Sequence, residues 1–259
     1  MSRAECIVRS VLLPLAVYFV IGLLGTAAEN AYSIPGELIE KAVTLLYCAG
    51  LILRDRQYFP EQKKKLPARF HLFVILAGLA GSVGFSCLSA AAGLSGGAAS
   101  SIPAISSAVR GSECPAGWIL AAVTLAAVSP AAEEFLFRGL VFNGIRRCIR
   151  FLPAAVLSSL IFAVFHGNIA QGFYGFAMGL AFAAVYEKSG SLAAPVEMHM
   201  AANAVSVAAM AVPGIAAVTG RVPALFAAAG LAGWFLSCAA AVRIGNHAGF
   251  SKSGTRESE

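Results

Sequence analysis

Apolar runs long enough to cross a bilayer recur along this chain, and no other feature constrains its fold as tightly. They fall near residues 9–28, 38–53, 70–94, 116–138, 152–167, 171–187, 194–212 and 222–243. A helix needs about 20 mostly apolar residues to span the hydrocarbon core. The second run is short and opens with Glu37, Glu40 and Lys41, which puts its start at the interface. Only Gly167-Asn168-Ile169-Ala170 separate the fifth run from the sixth, the length of a tight helical hairpin. In lipid every backbone N–H and C=O must find its partner inside the protein, which leaves helices as the economical way across. The pattern predicts an all-α fold: one polytopic bundle of about eight transmembrane helices over 1–244. A polar tail follows over 245–259.

Composition agrees. The chain is 58% hydrophobic and 12% charged, where a soluble domain carries about 25% charged residues. So few charges cannot cover a globular surface, and the lipid bilayer is the solvent the outside calls for. The N-terminal run could be a signal peptide ending near Thr26-Ala27-Ala28. It is long for one, and further spans follow, so it is read as a retained first helix. The six cysteines form no CxxC pair and carry no metal-ligand spacing.

The net charge of +6 is a matter of topology rather than of nucleic acid. With the N-terminus in the cytoplasm, the inner segments hold Arg3 and Arg9; Arg54, Arg56, Lys63, Lys64, Lys65 and Arg69; Arg146, Arg147 and Arg150; Lys188; and Arg243, Lys252 and Arg256. The outer segments hold Lys41, Arg110 and Arg221. Fifteen against three is the bias expected of a bundle with both termini cytoplasmic. In a bacterium that places the protein in the plasma or inner membrane. The Ser-, Ala- and Gly-rich stretch Ser86–Ser112 is read as the end of the third helix and the longest outer loop.

An ionisable group inside a bilayer is expensive and marks function by default. Ala131-Ala132-Glu133-Glu134-Phe135-Leu136-Phe137-Arg138 puts two carboxylates and a guanidinium in an apolar helix. Glu134 and Arg138 are i,i+4 neighbours and can pair. That leaves Glu133 on the adjacent face without a local cation, a candidate general base. His166 closes Phe162-Ala163-Val164-Phe165-His166, and His199 opens His199-Met200-Ala201-Ala202-Asn203. Phe162 shares a face with His166, and Asn203 with His199. His71 and His247 lie near loops. Counted from the inner arginines and lysine at 1.5 Å per residue, Glu133 lies ~20 Å, His166 ~24 Å and His199 ~16 Å along their helices. One level of the bundle can therefore hold all three. Pro130 should disturb the helix just before Glu133.

A Glu and a His can polarise water for attack on a carbonyl, and a second His with an Asn amide can donate to the oxyanion. The same Glu133, His166 and His199 could instead ligate zinc, with water in the fourth position. The residue set favours metal-free chemistry, because HExxH is absent and Asn is a poor zinc ligand. The plain alternative is a structural cluster, with Glu134–Arg138 as an ion pair and the histidines as interhelical hydrogen-bonding groups.

In order, Glu133-Glu134-xxx-Arg138, Phe162-xxx-His166 and His199-xxx-Asn203 resemble the three motifs of the CPBP family, the type II CAAX prenyl endopeptidases and the Abi proteins linked to bacteriocin self-immunity. Gly175-Phe176-Ala177-Met178-Gly179 and the stretch Tyr186 to Pro195 also look like family sequence. The resemblance covers about residues 125–205. It implies an intramembrane endopeptidase whose partner is a membrane-associated protein or peptide substrate. By the resemblance Glu133 activates water with His166, His199 and Asn203 form the oxyanion site, and Glu134 and Arg138 shape it. Two other classes compete: a non-catalytic membrane scaffold or self-immunity protein binding a partner, and an ion-relay transporter. The transporter should show repeated halves, and no internal repeat is seen.

Overall fold

The computed structural model describes residues 3–32, 36–55, 65–93, 115–167, 169–212 and 222–249. Most of the expected outer loop after Ala91 and most of the polar tail lie outside the described residues, as does the side chain of His247.

The described residues form eight continuous helices. In chain order they are α1 (3–32), α2 (Gly36–Arg54), α3 (Ala68–Ala91), α4 (115–146), α5 (Phe151–Val164), α6 (Ile169–Ser189), α7 (Ala193–Ala211) and α8 (Pro223–Gly249). The chain is an all-helical membrane bundle. Helices α1, α3, α4 and α8 are each long and apolar enough to cross a bilayer. α5 is apolar but has 14 residues. The remaining three, α2, α6 and α7, each carry polar residues that face inward, such as Lys41, Gln171 and His199, as α4 does with Glu133.

The burial pattern departs from that of a soluble protein at the surface, which is largely apolar. Phe19, Leu24 and Phe235 are more than 60% exposed, at 61%, 65% and 68%. Glu134 and Arg138 are 0% exposed. Lipid contact accounts for the first group, since hydrocarbon outside gives an apolar side chain no reason to hide.

Helix α3 packs along α8 and α7, α5 along α6, and α1 along α2. Small residues set the closest approaches. A Cβ on Gly230 of α8 would lie 2.5 Å from the Gly84 nitrogen of α3, the close backbone approach that small residues permit between membrane helices. α3 runs on to Ala91, so Ser86 and Ser89 belong to the end of the helix, as the run over 70–94 implies.

Two stretches of α4, Thr124–Val128 and Phe135–Phe142, are wound as π-helix. Pro130 helps explain the first. In the wider i→i+5 register Ser129 N–H donates to the Thr124 carbonyl. The next donor would be Pro130, which has no N–H, and the Leu125 carbonyl is left over. The Asn203 side chain of α7 supplies the missing donor, Nδ2 to Leu125 O at 3.0 Å. Pro130 is therefore accommodated by a π turn and a side-chain hydrogen bond.

Candidate active site

Helices α2, α3, α4, α6 and α7, with the end of α5 and the turn after it, meet around a cavity of about 250 Å³. Glu133, His166, His199 and Asn203 all line it, together with Lys41, Ser129, Phe162 and Phe182.

Glu134 is the polar anchor beneath the cavity. Its Oε1 accepts from Arg138 Nη1 at 2.8 Å and from His199 Nδ1 at 2.9 Å. Arg138 is held between two aromatic faces, 4.5 Å from the centre of Phe162 and 4.9 Å from that of Phe182. Such contacts stabilise a desolvated guanidinium by about 2 kcal/mol each. α6 comes this close because residue 179 is glycine: a Cβ there would stand 3.0 Å from Arg138 Nη2. Phe182 also stacks on the His199 ring, centroids 5.0 Å apart at 25°.

Glu133 points to the other side. Ser129 donates to its Oε1 at 2.8 Å. Lys41 Nζ lies 3.7 Å from the same oxygen, and His199 Nε2 lies 3.9 Å from Oε2. The expectation that Glu133 has no local cation is corrected here. Lys41 is buried in α2 rather than exposed at the outer interface, and it donates to Tyr18 at 2.6 Å and pairs with Glu40 at 3.2 Å. Packing of α2 against α4 brings the cation in from far along the chain. The site thus holds two cations for its two adjacent carboxylates: Arg138 for Glu134 and Lys41 for Glu133.

The ring orientations follow from fixed partners. His166 sits in the turn just past α5, not in the helix, and its Nδ1 is 2.8 Å from the Phe162 carbonyl. A carbonyl only accepts, so Nδ1 carries the hydrogen and Nε2 keeps its lone pair. Gly167, at φ 73°, lets the chain reverse immediately afterwards into α6. Glu134 fixes His199 likewise through Nδ1 and leaves Nε2 toward Glu133. Of the remaining sequence candidates, His71 lies outside this set and bonds Glu197 at 2.7 Å, tying α3 to α7.

Three donors could be imagined around zinc, but the arrangement suits that ion poorly. The Lys41 ammonium beside Glu133 would repel a dication. Among the described residues no group of three or more His, Cys, Asp or Glu side chains is placed to hold a metal ion.

The fold and this polar cluster define a membrane-embedded helical bundle with carboxylates and histidines gathered around an internal cavity. Residues 115–205 match the family model described as Type II CAAX prenyl endopeptidase Rce1-like. That segment contains α4 to α6 and α7 as far as Val205, and so all three motifs: Glu133-Glu134 with Arg138, Phe162 with His166, and His199 with Asn203. The chain is 37% identical over 82 residues to the membrane-embedded CAAX protease MroQ of Staphylococcus aureus, covering 29% of this chain and 33% of that protein. It is 30% identical over 76 residues to the putative membrane peptidase YdiL of Bacillus subtilis, covering 29% of this chain and 31% of that protein. The matches therefore span about a third of each curated relative's length. No solved structure matches the chain.

Proposed function

We propose that this chain is an intramembrane endopeptidase that hydrolyses a peptide bond of a membrane-associated protein or peptide with water activated by Glu133 and His166. The observation that carries this reading is the convergence of Glu133, His166, His199 and Asn203 on one cavity inside a lipid-facing bundle. The protease-type relatives of the segment 115–205 support it.

The chemistry needs no covalent enzyme intermediate. A water between Glu133 and His166 Nε2 loses a proton to them as its oxygen attacks the carbonyl carbon. The carbonyl oxygen takes up the charge. Asn203 has one amide N–H beyond the one given to Leu125, and His199 in its doubly protonated form donates from Nε2. Those two donors face the developing oxyanion. The imidazolium is matched by Glu134 on one side and Glu133 on the other. Collapse of the tetrahedral adduct breaks the C–N bond, and the departing amine takes the proton first removed from water.

Lys41 belongs to this reading as a positioning residue. With Ser129 it engages Glu133 Oε1 and leaves Oε2 for the cavity. A site built around its own ammonium also supports metal-free catalysis. The test is quantitative N-terminal proteomics of membranes from cells with wild-type protein or Glu133→Gln. New N-termini that depend on Glu133 support the reading. Identical sets of termini in both strains, with equal protein levels, contradict it.

A further inference from the structure

The cavity lies nearer one end of the bundle than the other. At its rim are Glu37 at the start of α2, Ser89 near the end of α3, Gln171 at the start of α6 and Ser206 near the end of α7. All four helix ends lie on the same face, because the helices alternate in direction. Beneath the cavity the opposite half is packed solid. Arg138, Tyr186, Phe142 and Phe70 are each less than 3% exposed, and Tyr186 is tied to Asn143 at 2.7 Å.

The basic residues at the helix ends fall on the packed half. Arg54, Lys65, Arg69, Arg146, Arg150 and Lys188 all lie at or beyond helix ends away from the cavity mouth. With Lys41 now placed inside the bundle, the basic bias becomes fifteen residues against two, Arg110 and Arg221. Basic loops stay on the cytoplasmic side. We infer that the cavity opens away from the cytoplasm and takes its substrate from the outer face of the membrane. The substrate class that follows is a peptide, or the extracytoplasmic juxtamembrane segment of a protein, with its scissile bond presented from that side. Calling the occupant a peptide rests on the peptidase reading; the direction of access does not.

Cysteine accessibility tests this in sealed bacterial cells expressing the full chain with its native cysteines replaced by alanine. Gln171→Cys and Ser206→Cys report on the cavity mouth, and Lys65→Cys reports on the basic end. A membrane-impermeant maleimide should label both mouth positions as fully in intact cells as after permeabilisation, and Lys65→Cys only after permeabilisation. Labelling of Lys65→Cys in intact cells, with the mouth positions reached only after permeabilisation, overturns the inference. So does failure of both mouth positions to react until detergent is added. Cleavage by wild type and Glu133→Gln is followed in parallel. Outward labelling with Glu133-independent cleavage sinks the peptidase reading and leaves the access direction standing. Inward labelling with Glu133-dependent cleavage does the reverse.

Discussion

Glu134 Oε1 lies 2.9 Å from His199 Nδ1 while also accepting from Arg138. One carboxylate on α4 thus fixes the ring on α7 that the proposed mechanism uses as an oxyanion donor. Adjacent glutamates divide the labour: Glu133 faces the cavity, and Glu134 builds the wall behind it.

That division predicts different phenotypes for neighbouring substitutions. Glu134→Leu should strand Arg138, which is 0% exposed. Breaking a buried pair on one side costs about 3–5 kcal/mol, so the melting temperature in detergent should drop sharply. Glu134→Leu with Arg138→Met should recover much of the loss. Equal melting of the single and double variants would refute the account of the pair.

Lys41→Met should lower kcat by about 100-fold, in the range seen when one preorganised electrostatic group is removed from an active site. KM should change little, and Lys41→Arg should retain most of the activity. Glu133 and Lys41 should also couple in thermal stability by about 0.5–3 kcal/mol, as contacting residues do. Additive effects of Glu133→Gln and Lys41→Met on stability would argue against the contact.

Much of this site was legible in the sequence, for a physical reason. Charges are rare in an apolar helix, so Glu133, Glu134 and Arg138 stand out, and i,i+4 spacing alone pairs the last two. The same spacing tied Phe162 to His166 and His199 to Asn203. Lys41 was not legible as part of the site. It sits near the start of a helix whose first turns look interfacial, and only the packing of α2 on α4 brings it to Glu133. The π turns were hidden as well. Pro130 announced a disturbance, but its accommodation depends on Asn203, more than 70 residues away in the chain (|i−j| is 78 for the Asn203–Leu125 bond). The helix count was readable from hydropathy, although the three helices α2, α6 and α7 dilute their apolar signal with inward polar groups.

Asn203→Ala should reduce kcat by about 10²–10³-fold, the usual cost of one oxyanion donor. It also removes the hydrogen bond to Leu125 O, worth about 1 kcal/mol. Steady-state kinetics beside a melting curve separates the two effects. A large loss of stability with unchanged kcat in the folded fraction would assign Asn203 to the helix contact alone.

The glycines where α3 and α8 meet give a prediction about assembly. Gly230→Leu should impair accumulation, because its Cβ alone would stand 2.5 Å from the Gly84 nitrogen. Gly50→Ala, which meets nothing within 4 Å, should be neutral or stabilising by up to ~1 kcal/mol. Membrane-fraction immunoblots and melting curves check both.

Chelation probes the metal-free reading. Prolonged dialysis against EDTA or phenanthroline should leave activity unchanged, and added zinc should not raise it. Loss on chelation with recovery on zinc would assign Glu133, His166 and His199 to a metal instead.

The central claim is that Glu133 activates the water that cuts a membrane peptide. The most direct measurement is the single-turnover cleavage rate of a substrate, identified by its Glu133-dependent N-terminus, with purified wild type and Glu133→Gln reconstituted in the same lipid. The account predicts product from wild type and none detectable from a folded Glu133→Gln. Cleavage at a comparable rate by both would contradict it.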